Sequence, residues 1–571
     1  GTYFPKQGRG KQPGMLQLIP SLANAWSTKQ GEITKTIDRL QTYLTEVNTS
    51  SQGEEWDEAM IRDAFSQYAS SFDPDYGGFG KAPKFPSPHN LIFLLRYSKL
   101  FGVATGKTMV EKTLHQMRLG GVFDHIGLGF HRYSTDKRWF LPHFEKMLYD
   151  QAMISMAFLE AYQITNNENY ANVAREIFTY VLRDMTDKDG GFYSAEDADS
   201  EGEEGIFYIW TQEELVEILG EDDGLKLAKT FGFIDGGNFF EEASGHTTGN
   251  NIPYFQDDRE TLAKNVDMSL DDFNAFIEKS RQKLFEVREK RIHPLKDDKI
   301  LTDWNGLMIA ALSQGGQVLG DEIYIDAAKN AVNFVLESLR DGNGRLMKRS
   351  RLGKAGLQPH LDDYSFMVFG LLNLYEATFD PSYLASALEL TETMIEDFSD
   401  QNGGFFIGSK DAEKLMIRAK DSYDGAIPSG NSVAALNLFR LGKITGNTKW
   451  TDLGYSTLKA FTDKAKQSPT GFAHMMTAFM FDFKNPKEVV LVGDSNDPET
   501  QKTISAIRKN YSPNKVLLFK DVSNPGALVK VAPWTKDHVM INESPTFYIC
   551  KDFACKQPTT SLDLAMKYMN E

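Results

Sequence analysis

The chain has 571 residues, of which 41% are hydrophobic and 25% charged, which is enough for a large apolar core and more than one domain. Its formal net charge of −17 argues against nucleic-acid and anionic-membrane partners, and no apolar run approaches the roughly 20 residues of a membrane span. Two cysteines exclude a disulfide-stapled secreted domain and fit a reducing compartment, so we expect a cytoplasmic protein.

Amphipathic helices recur along the middle of the chain, each opened by a polar turn and a large apolar anchor residue. After the anchor Tyr324, for example, Ala327, Ala331 and Val335 recur at helical spacing. The anchors are Met109, Tyr170, Tyr324, Tyr383 and Trp450. A period of about 60 residues suits one helical hairpin with its loops, and such hairpins must stack because none buries its apolar face alone.

Helices of a second kind lie between the amphipathic ones and are apolar nearly all round, which predicts that each is buried on every side. They are Leu91–Leu100, Met147–Ile164, Leu307–Leu319, Phe366–Ala377 and Val433–Leu441. Alternating buried and half-exposed helices predict two concentric layers, an inner ring and an outer ring. The fold class is therefore a mainly α protein of the α/α toroid type.

Polar and aromatic residues stand where the inner helices begin. If these helices run in the same direction, their openings converge on one pocket that suits sugar hydroxyls and carboxylates. The candidate residues are Asp303, Trp304, Asn305, Asp362, Asp363, Tyr364, Asp424, Ser429 and Asn431. The alternative for Asp303, Asp362 and Ser429 is that each only caps its helix, since Asp and Ser are strongly preferred there.

The segment Gly120–Asp150 holds three of the ten histidines together with charged residues. Histidine titrates near neutral pH and can transfer protons, and a nearby carboxylate orients it. The candidates are Asp124, His125, His131, Arg132, Trp139, His143, Glu145 and Lys146. No zinc-ligand spacing occurs here, so a metal site is the weaker alternative. We expect no metal and no cofactor.

An acidic stretch follows at Glu196–Glu204, between the aromatic runs Gly191–Tyr193 and Ile206–Trp210, which we interpret as two short strands. The stretch is expected to form a solvated hairpin tip near the mouth of the cavity, with calcium binding as the lesser alternative because Tyr208 replaces the final glutamate of a calcium loop.

The residue pattern changes from Glu488, where strand and helix patterns alternate and predict a small α/β domain. Cys550 and Cys555 lack the spacing of a redox pair. We interpret them as unpaired thiols, and a zinc half-site or a regulatory disulfide is the alternative.

Several long motifs resemble the thioredoxin-domain-containing family of spermatogenesis-associated protein 20 and its bacterial relatives. They are Gly78–Pro86, Phe123–His125 with Gly129–Tyr133, Pro142–Asp150, Tyr193–Gly205, Trp304–Met308 and Asp424–Ser432. The resemblance covers essentially the whole chain. It implies an (α/α)6 six-hairpin toroid similar to those of N-acylglucosamine 2-epimerase, cellobiose 2-epimerase and six-hairpin glycosidases.

The resemblance also implies an N-terminal thioredoxin-like domain, which would be a partner of the toroid. Gly1–Pro5 resembles its last strand and the segment Met15–Lys29 its last helix, so we expect the chain to begin inside a longer protein. The domains are then a remnant at 1–50, the toroid at 51–485 with a β-hairpin insertion around 186–300, and the α/β domain at 486–571.

Three functions remain open, and the first is favoured because of the histidines. A sugar epimerase or isomerase acting on a small saccharide would use His125, His131, His143 and Glu145 as acids and bases, with Arg132 stabilising an enediolate. A glycoside hydrolase would pair Asp362 or Asp363 with Asp303 or Asp424. A non-catalytic module would hold a glycan or peptide for the thioredoxin-like domain.

Overall fold

The computed structural model describes residues 4–10, 12–48, 53–240 and 249–571, so the strand end predicted at Gly1–Pro5 falls mostly outside the described residues. The first helices are α1 Met15–Thr28, α2 Gln30–Asn48, α3 Glu58–Ser71, α4 Pro88–Phe101, α5 Ala104–Leu119, α6 Leu148–Thr165, α7 Glu168–Asp184, α8 Gln212–Leu219, α9 Glu221–Thr230, α10 Arg259–Asn265 and α11 Leu270–Arg288. The later ones are α12 Thr302–Leu319, α13 Glu322–Ser338, α14 Leu361–Thr378, α15 Pro381–Phe398, α16 Gly430–Thr445, α17 Thr448–Lys459, α18 Thr462–Gln467, α19 Ala473–Phe483, α20 Pro498–Lys509, α21 Pro525–Val531 and α22 Leu562–Asn570.

The strands before the C-terminal domain are short. They are β1 Tyr133–Ser134, β2 Pro142–His143, β3 Lys146–Met147, β4 Ala195–Glu196, β5 Asp199–Ser200, β6 Glu203–Glu204, β7 Lys296–Asp297, β8 Ile300–Leu301, β9 Arg349–Arg351 and β10 Lys354–Gly356. The C-terminal strands are β11 Lys487–Gly493, β12 Lys515–Asp521, β13 Thr546–Lys551 and β14 Ala554–Cys555. No helix in the described ranges is both long enough and apolar enough to cross a bilayer.

Six helices of the described chain form a closed inner ring in the order α4, α6, α12, α14, α16 and α19, and α19 packs back against α4. Other elements pack against these helices on several sides, which explains why their sequences are apolar nearly all round. The toroid is confirmed. Five of the six are predicted, whereas α19 is not, because no anchored amphipathic helix follows it. Its outer partner is α3, from the beginning of the toroid.

The outer layer consists of α3, α5, α7, α13, α15 and α17, each packed mainly against one inner helix. Five hairpins have two-residue connections, and these open with a left-handed residue such as Gly320 (φ 72°) or Asn166 (φ 57°). Because these short connections make α5, α7, α13, α15 and α17 antiparallel to the inner helices before them, those inner helices all point the same way. The long connections therefore gather at the N-terminal mouth of the ring.

The longest of these connections, between α7 and α12, departs from the predicted insertion. The hairpin is formed by β5 and β6 around Glu201 and Gly202, so the acidic residues themselves form the strands. Ile206–Tyr208 is a turn instead of a strand. Helices α8 to α11 complete the insertion and share a separate apolar cluster.

The C-terminal domain has a four-stranded sheet in the order β12-β11-β13-β14, with β11 and β12 parallel and the remaining pairs antiparallel. It covers the C-terminal end of the ring, where α12 contacts α20 and α16 contacts β12. Cys550 and Cys555 are opposite each other on β13 and β14 and form a disulfide, so the interpretation as unpaired thiols is wrong.

Candidate functional site

Two aspartates and a lysine form an ionic cluster where α12 and α14 begin. Lys348 Nζ lies 2.6 Å from Asp303 Oδ2 and 3.2 Å from Asp363 Oδ1. Asp363 also accepts the backbone N–H groups of Asp303 and His360, so it joins the starts of both helices. Burial lowers the pKa of Lys348, but the Asp363 and Asp303 carboxylates raise it by more. The lysine therefore stays charged.

Asp362, beside this cluster, is the carboxyl group best placed for proton transfer. Burial and the neighbouring Asp303 carboxylate raise the pKa of Asp362 to about 7, against the lowering effect of Lys348. Its carboxylate accepts the backbone N–H of Gly430 at the start of α16. Unlike Asp363, Asp362 is only partly buried, so a ligand in the mouth can reach it.

An aromatic pair separates this carboxyl group from the next charged cluster. The rings of Trp304 and Tyr149 meet edge to face with centroids 4.8 Å apart, and Trp304 is partly exposed. Arg132 contacts the Tyr149 hydroxyl and forms an ion pair with Glu145, with 3.0 Å between Nη1 and Oε2. A partly exposed indole beside charged groups can contact the C–H face of a sugar ring.

His143 completes this side of the mouth. Its Nδ1 lies 2.8 Å from Glu204 Oε1 and its Nε2 lies 3.5 Å from Glu145 Oε2. The hydrogen bond with Glu204 raises the pKa of His143, whereas partial burial opposes it. Since Glu204 lies on β6, the acidic hairpin contributes a residue to the mouth, near which it is predicted to lie.

Several residues of the mouth are not predicted from the sequence. Lys348 comes from a loop with no recognisable motif, Glu204 belongs to the acidic stretch but is not predicted as a site residue, and His360 precedes α14 close to Lys348. Asp150 follows Tyr149 at the end of the motif Pro142–Asp150 and lies near Arg132 and Glu145. Within the described chain its Oδ2 is buried without a hydrogen-bond partner, and burial raises the pKa of Asp150 well above its usual range.

Five of the predicted residues lie in the protein interior instead. Asp124 binds Lys146 (2.7 Å) and both terminal nitrogens of Arg288 (2.9 and 2.8 Å), which hold its pKa well below the usual range despite burial. The other three, His125, His131 and Trp139, use ring nitrogens in contacts with backbone carbonyl oxygens of Gly120, Phe144 and Tyr76.

The two buried histidines are poor proton donors at neutral pH. Burial, followed by the Lys146 charge, lowers the pKa of His131 to about 3. Burial and Arg118 lower the pKa of His125 as well. Of the three predicted histidines, only His143 is partly exposed at the mouth.

Another five predicted residues hold the loops of the mouth through backbone hydrogen bonds. Asn305 accepts the Phe192 N–H and donates to the Phe192 carbonyl, and Asn431 does the same to Phe405. Tyr364, Asp424 and Ser429 accept the backbone N–H groups of Leu346, Ser429 and Ser432, respectively. All five side chains are buried; Ser429 caps α16, and the other four hold the loops of the mouth.

Comparison with known proteins gives relatives that match nearly the whole of this chain and about three quarters of their own length. Spermatogenesis-associated protein 20 of Homo sapiens is 34% identical over 596 residues, covering 98% of this chain and 76% of the relative. The Mus musculus protein of the same name is 34% identical over 597 residues, covering 98% and 75%. No family model matches the chain.

Among solved structures, cellobiose 2-epimerase of Bacillus thermoamylovorans matches with a TM-score of 0.47 and 10% identity, over 74% of this chain and 98% of that one. D-mannose isomerase matches with a TM-score of 0.45 and 12% identity, over 71% and 85%. The sequence identity to the mammalian proteins is much higher and extends over almost the entire chain, and the chain therefore belongs to the family of spermatogenesis-associated protein 20.

Proposed function

We propose that the N-terminal mouth of the ring binds a small saccharide and catalyses proton transfer on it, as a sugar epimerase or isomerase does. The observation that carries the proposal is the placement of two proton-transfer groups on either side of Trp304. In the ring, α12 lies between α6 and α14. Trp304 begins α12, Asp362 begins α14, and the pair His143 and Glu145 precedes α6.

A sugar stacked on Trp304 would have one acid–base group on each flank. Epimerisation at a carbon next to a carbonyl needs such a pair, because one group removes the proton and another returns it to the opposite face. Asp362, with a pKa of about 7, can exist in either protonation state at neutral pH. Arg132 supplies positive charge near Tyr149 and would stabilise an enediolate.

The test is solvent exchange. Incubation with a panel of reducing sugars in deuterated water should place deuterium at C2, as followed by proton NMR. Asp362→Asn should lower exchange by about 100-fold or more, because removal of a general acid or base costs that much. Asp326→Asn, which removes an exposed acid on the outer helix α13, is the control and should retain exchange. Sugar binding without exchange in the unmodified protein would refute the catalytic proposal.

A second candidate, glycoside hydrolysis, is favoured by one observation. Asp362, with its raised pKa, is influenced by Asp303, whose carboxylate is bound to Lys348 at 2.6 Å. Two neighbouring carboxyl groups in different environments are the pattern that glycosidases use for acid and base. Release of reducing ends from oligosaccharides without deuterium uptake would favour this reaction over epimerisation.

A further inference from the structure

The opposite end of the ring contains a polar cavity of about 130 Å³ that the proposed function does not use. Its floor is formed by the C-terminal halves of the inner helices, and its roof by the connection from α20 to β12 in the C-terminal domain. Charged and amide side chains line it although it lies between two apolar cores. Arg96, Glu160, Glu376, Arg440, Arg508 and Lys515 are its charged residues.

Two of the four cations are matched by carboxylates. Arg96 Nη2 lies 2.5 Å from Glu160 Oε1, and Arg440 Nη2 lies 3.2 Å from Glu376 Oε1. Glu160 also accepts the Tyr511 hydroxyl at 2.8 Å, so its remaining capacity is used within the protein. These pairs leave the cavity with no excess of negative charge.

The other two cations, Arg508 and Lys515, form no ion pair within 4 Å among the described residues. Arg508 Nη2 donates to the carbonyl oxygens of Glu376 and Ala377 at the end of α14, and Lys515 Nζ has a long bond, 3.3 Å, to the Ser512 carbonyl oxygen. The cavity therefore carries two positive charges in excess, in a protein whose net charge is −17.

Hydrogen-bond donors in the same lining also lack acceptors. Arg508 Nε and Asn510 Nδ2 are buried without a partner in the described structure. Buried donors in folded proteins nearly always have an acceptor, so unmatched donors beside an unmatched lysine indicate a missing acceptor of negative charge. Burial lowers the pKa of Lys515 to about 8, against the raising effect of Glu376, as expected for an ammonium group without a close counter-charge.

Neutralisation of the partial negative charge at the C-terminal ends of the inner helices explains only part of this excess of positive charge. The carbonyl ends of the inner helices carry partial negative charge, and Arg508 binds two of those carbonyl groups through one nitrogen. That contact does not involve Arg508 Nε or Asn510 Nδ2. A site for an oxyanion would use these donors together with Lys515.

We propose that this cavity binds a phosphate group, through Lys515, Arg508 and Asn510. Its volume of about 130 Å³ accommodates a phosphate group. The group can come from free phosphate or from a small phosphomonoester that extends out of the cavity. The proposal is independent of the saccharide site, which lies at the other end of the ring.

Calorimetric titration of the full chain with inorganic phosphate and, separately, with glucose 6-phosphate tests this site. Lys515→Gln and Arg508→Gln should each weaken phosphate binding at least tenfold, whereas Lys509→Gln, an exposed neighbour of the same charge, should not. Tighter binding of glucose 6-phosphate than of phosphate would identify phosphomonoesters as the source, and binding of phosphate alone, or more tightly, would identify the free ion. Circular dichroism checks that each variant is folded.

The pH dependence of phosphate affinity is an independent test, because Lys515 must be protonated to bind an anion. Phosphate is mainly a dianion from pH 8 upward, so affinity should fall between pH 8 and pH 9.5 as the lysine loses its proton, and Lys515→Gln should show no such fall. Failure of phosphate to bind the unmodified protein, or equal binding by Lys515→Gln and Lys509→Gln, would overturn the proposal.

Discussion

Asp362 and Asp363 are adjacent in sequence but have different surroundings. Asp363 is fully buried, bonded to two backbone N–H groups and to Lys348, whereas Asp362 is partly exposed against the start of α16. The close approach requires a glycine at position 430, because a Cβ there would lie 2.2 Å from Asp362 Oδ1. A backbone position on one helix thus determines where the carboxyl group of another helix lies.

Gly430→Ala should therefore impair catalysis by displacing Asp362. We expect turnover to fall by about 10- to 100-fold, since a displacement of about 1 Å at a reacting group has effects of that size. Gly442→Ala, at a second buried glycine of α16, is the comparison: its Cβ would contact Thr451 instead of Asp362, so only folding should be affected. Turnover by Gly430→Ala equal to that of the unmodified protein would show that Asp362 tolerates displacement.

At the scale of secondary-structure elements, the mouth depends on a repeated contact between an inner helix and the loop before it. Gln151 on α6, Asn305 on α12 and Asn431 on α16 each accept one backbone N–H of that loop, from Phe130, Phe192 and Phe405. Tyr364 on α14 accepts the Leu346 N–H in the same way. Each of these loops is thus bound to the helix that follows it.

Asn305→Ala should destabilise the protein by about 3 kcal/mol, because the buried N–H and C=O of Phe192 would lose their partner. Urea unfolding followed by circular dichroism measures this change in the free energy of unfolding. Asn333→Ala, an exposed position on α13, should change it by less than about 0.5 kcal/mol. Faster hydrogen exchange at the Phe192 amide in Asn305→Ala would locate the loss, and unchanged stability would contradict the proposed anchoring role.

On the scale of the whole molecule, the closed ring buries histidines that stay neutral in the folded state. Burial lowers the pKa of His89 to about 4 and, together with the His89 charge, that of His474 to about 3. Unfolded histidine has a pKa of about 6.5. The stability they contribute is thus complete above pH 6.5 and is lost as the pH falls toward the folded-state values. Asp362 and Asp424, with raised pKa values, have the opposite effect.

Because the buried histidines and the buried aspartates change the stability in opposite directions as the pH falls, the prediction concerns the difference in stability between the unmodified protein and a variant. The stability difference between the unmodified protein and His474→Asn should shrink by about 1.4 kcal/mol for each pH unit between pH 6 and pH 5. Urea unfolding at both pH values measures it. Met475→Ala, a neighbouring core substitution without a titrating group, should give a difference that does not depend on pH. A constant difference for His474→Asn as well would mean that this histidine is protonated in the folded protein.

The sequence by itself determined the two helix classes, the hairpin period and the C-terminal α/β domain, because the burial of a helix is recorded in its own apolar spacing. It also located Asp303, Trp304, Asp362 and the His143–Glu145 pair at the beginnings of inner helices. Only the tertiary structure decided that Asn305 and Asn431 bind backbone, that His125 and His131 are buried, and that Lys348 and Glu204 reach the mouth. The directions and partners of these side chains depend on loops distant in sequence, so no local pattern contains that information.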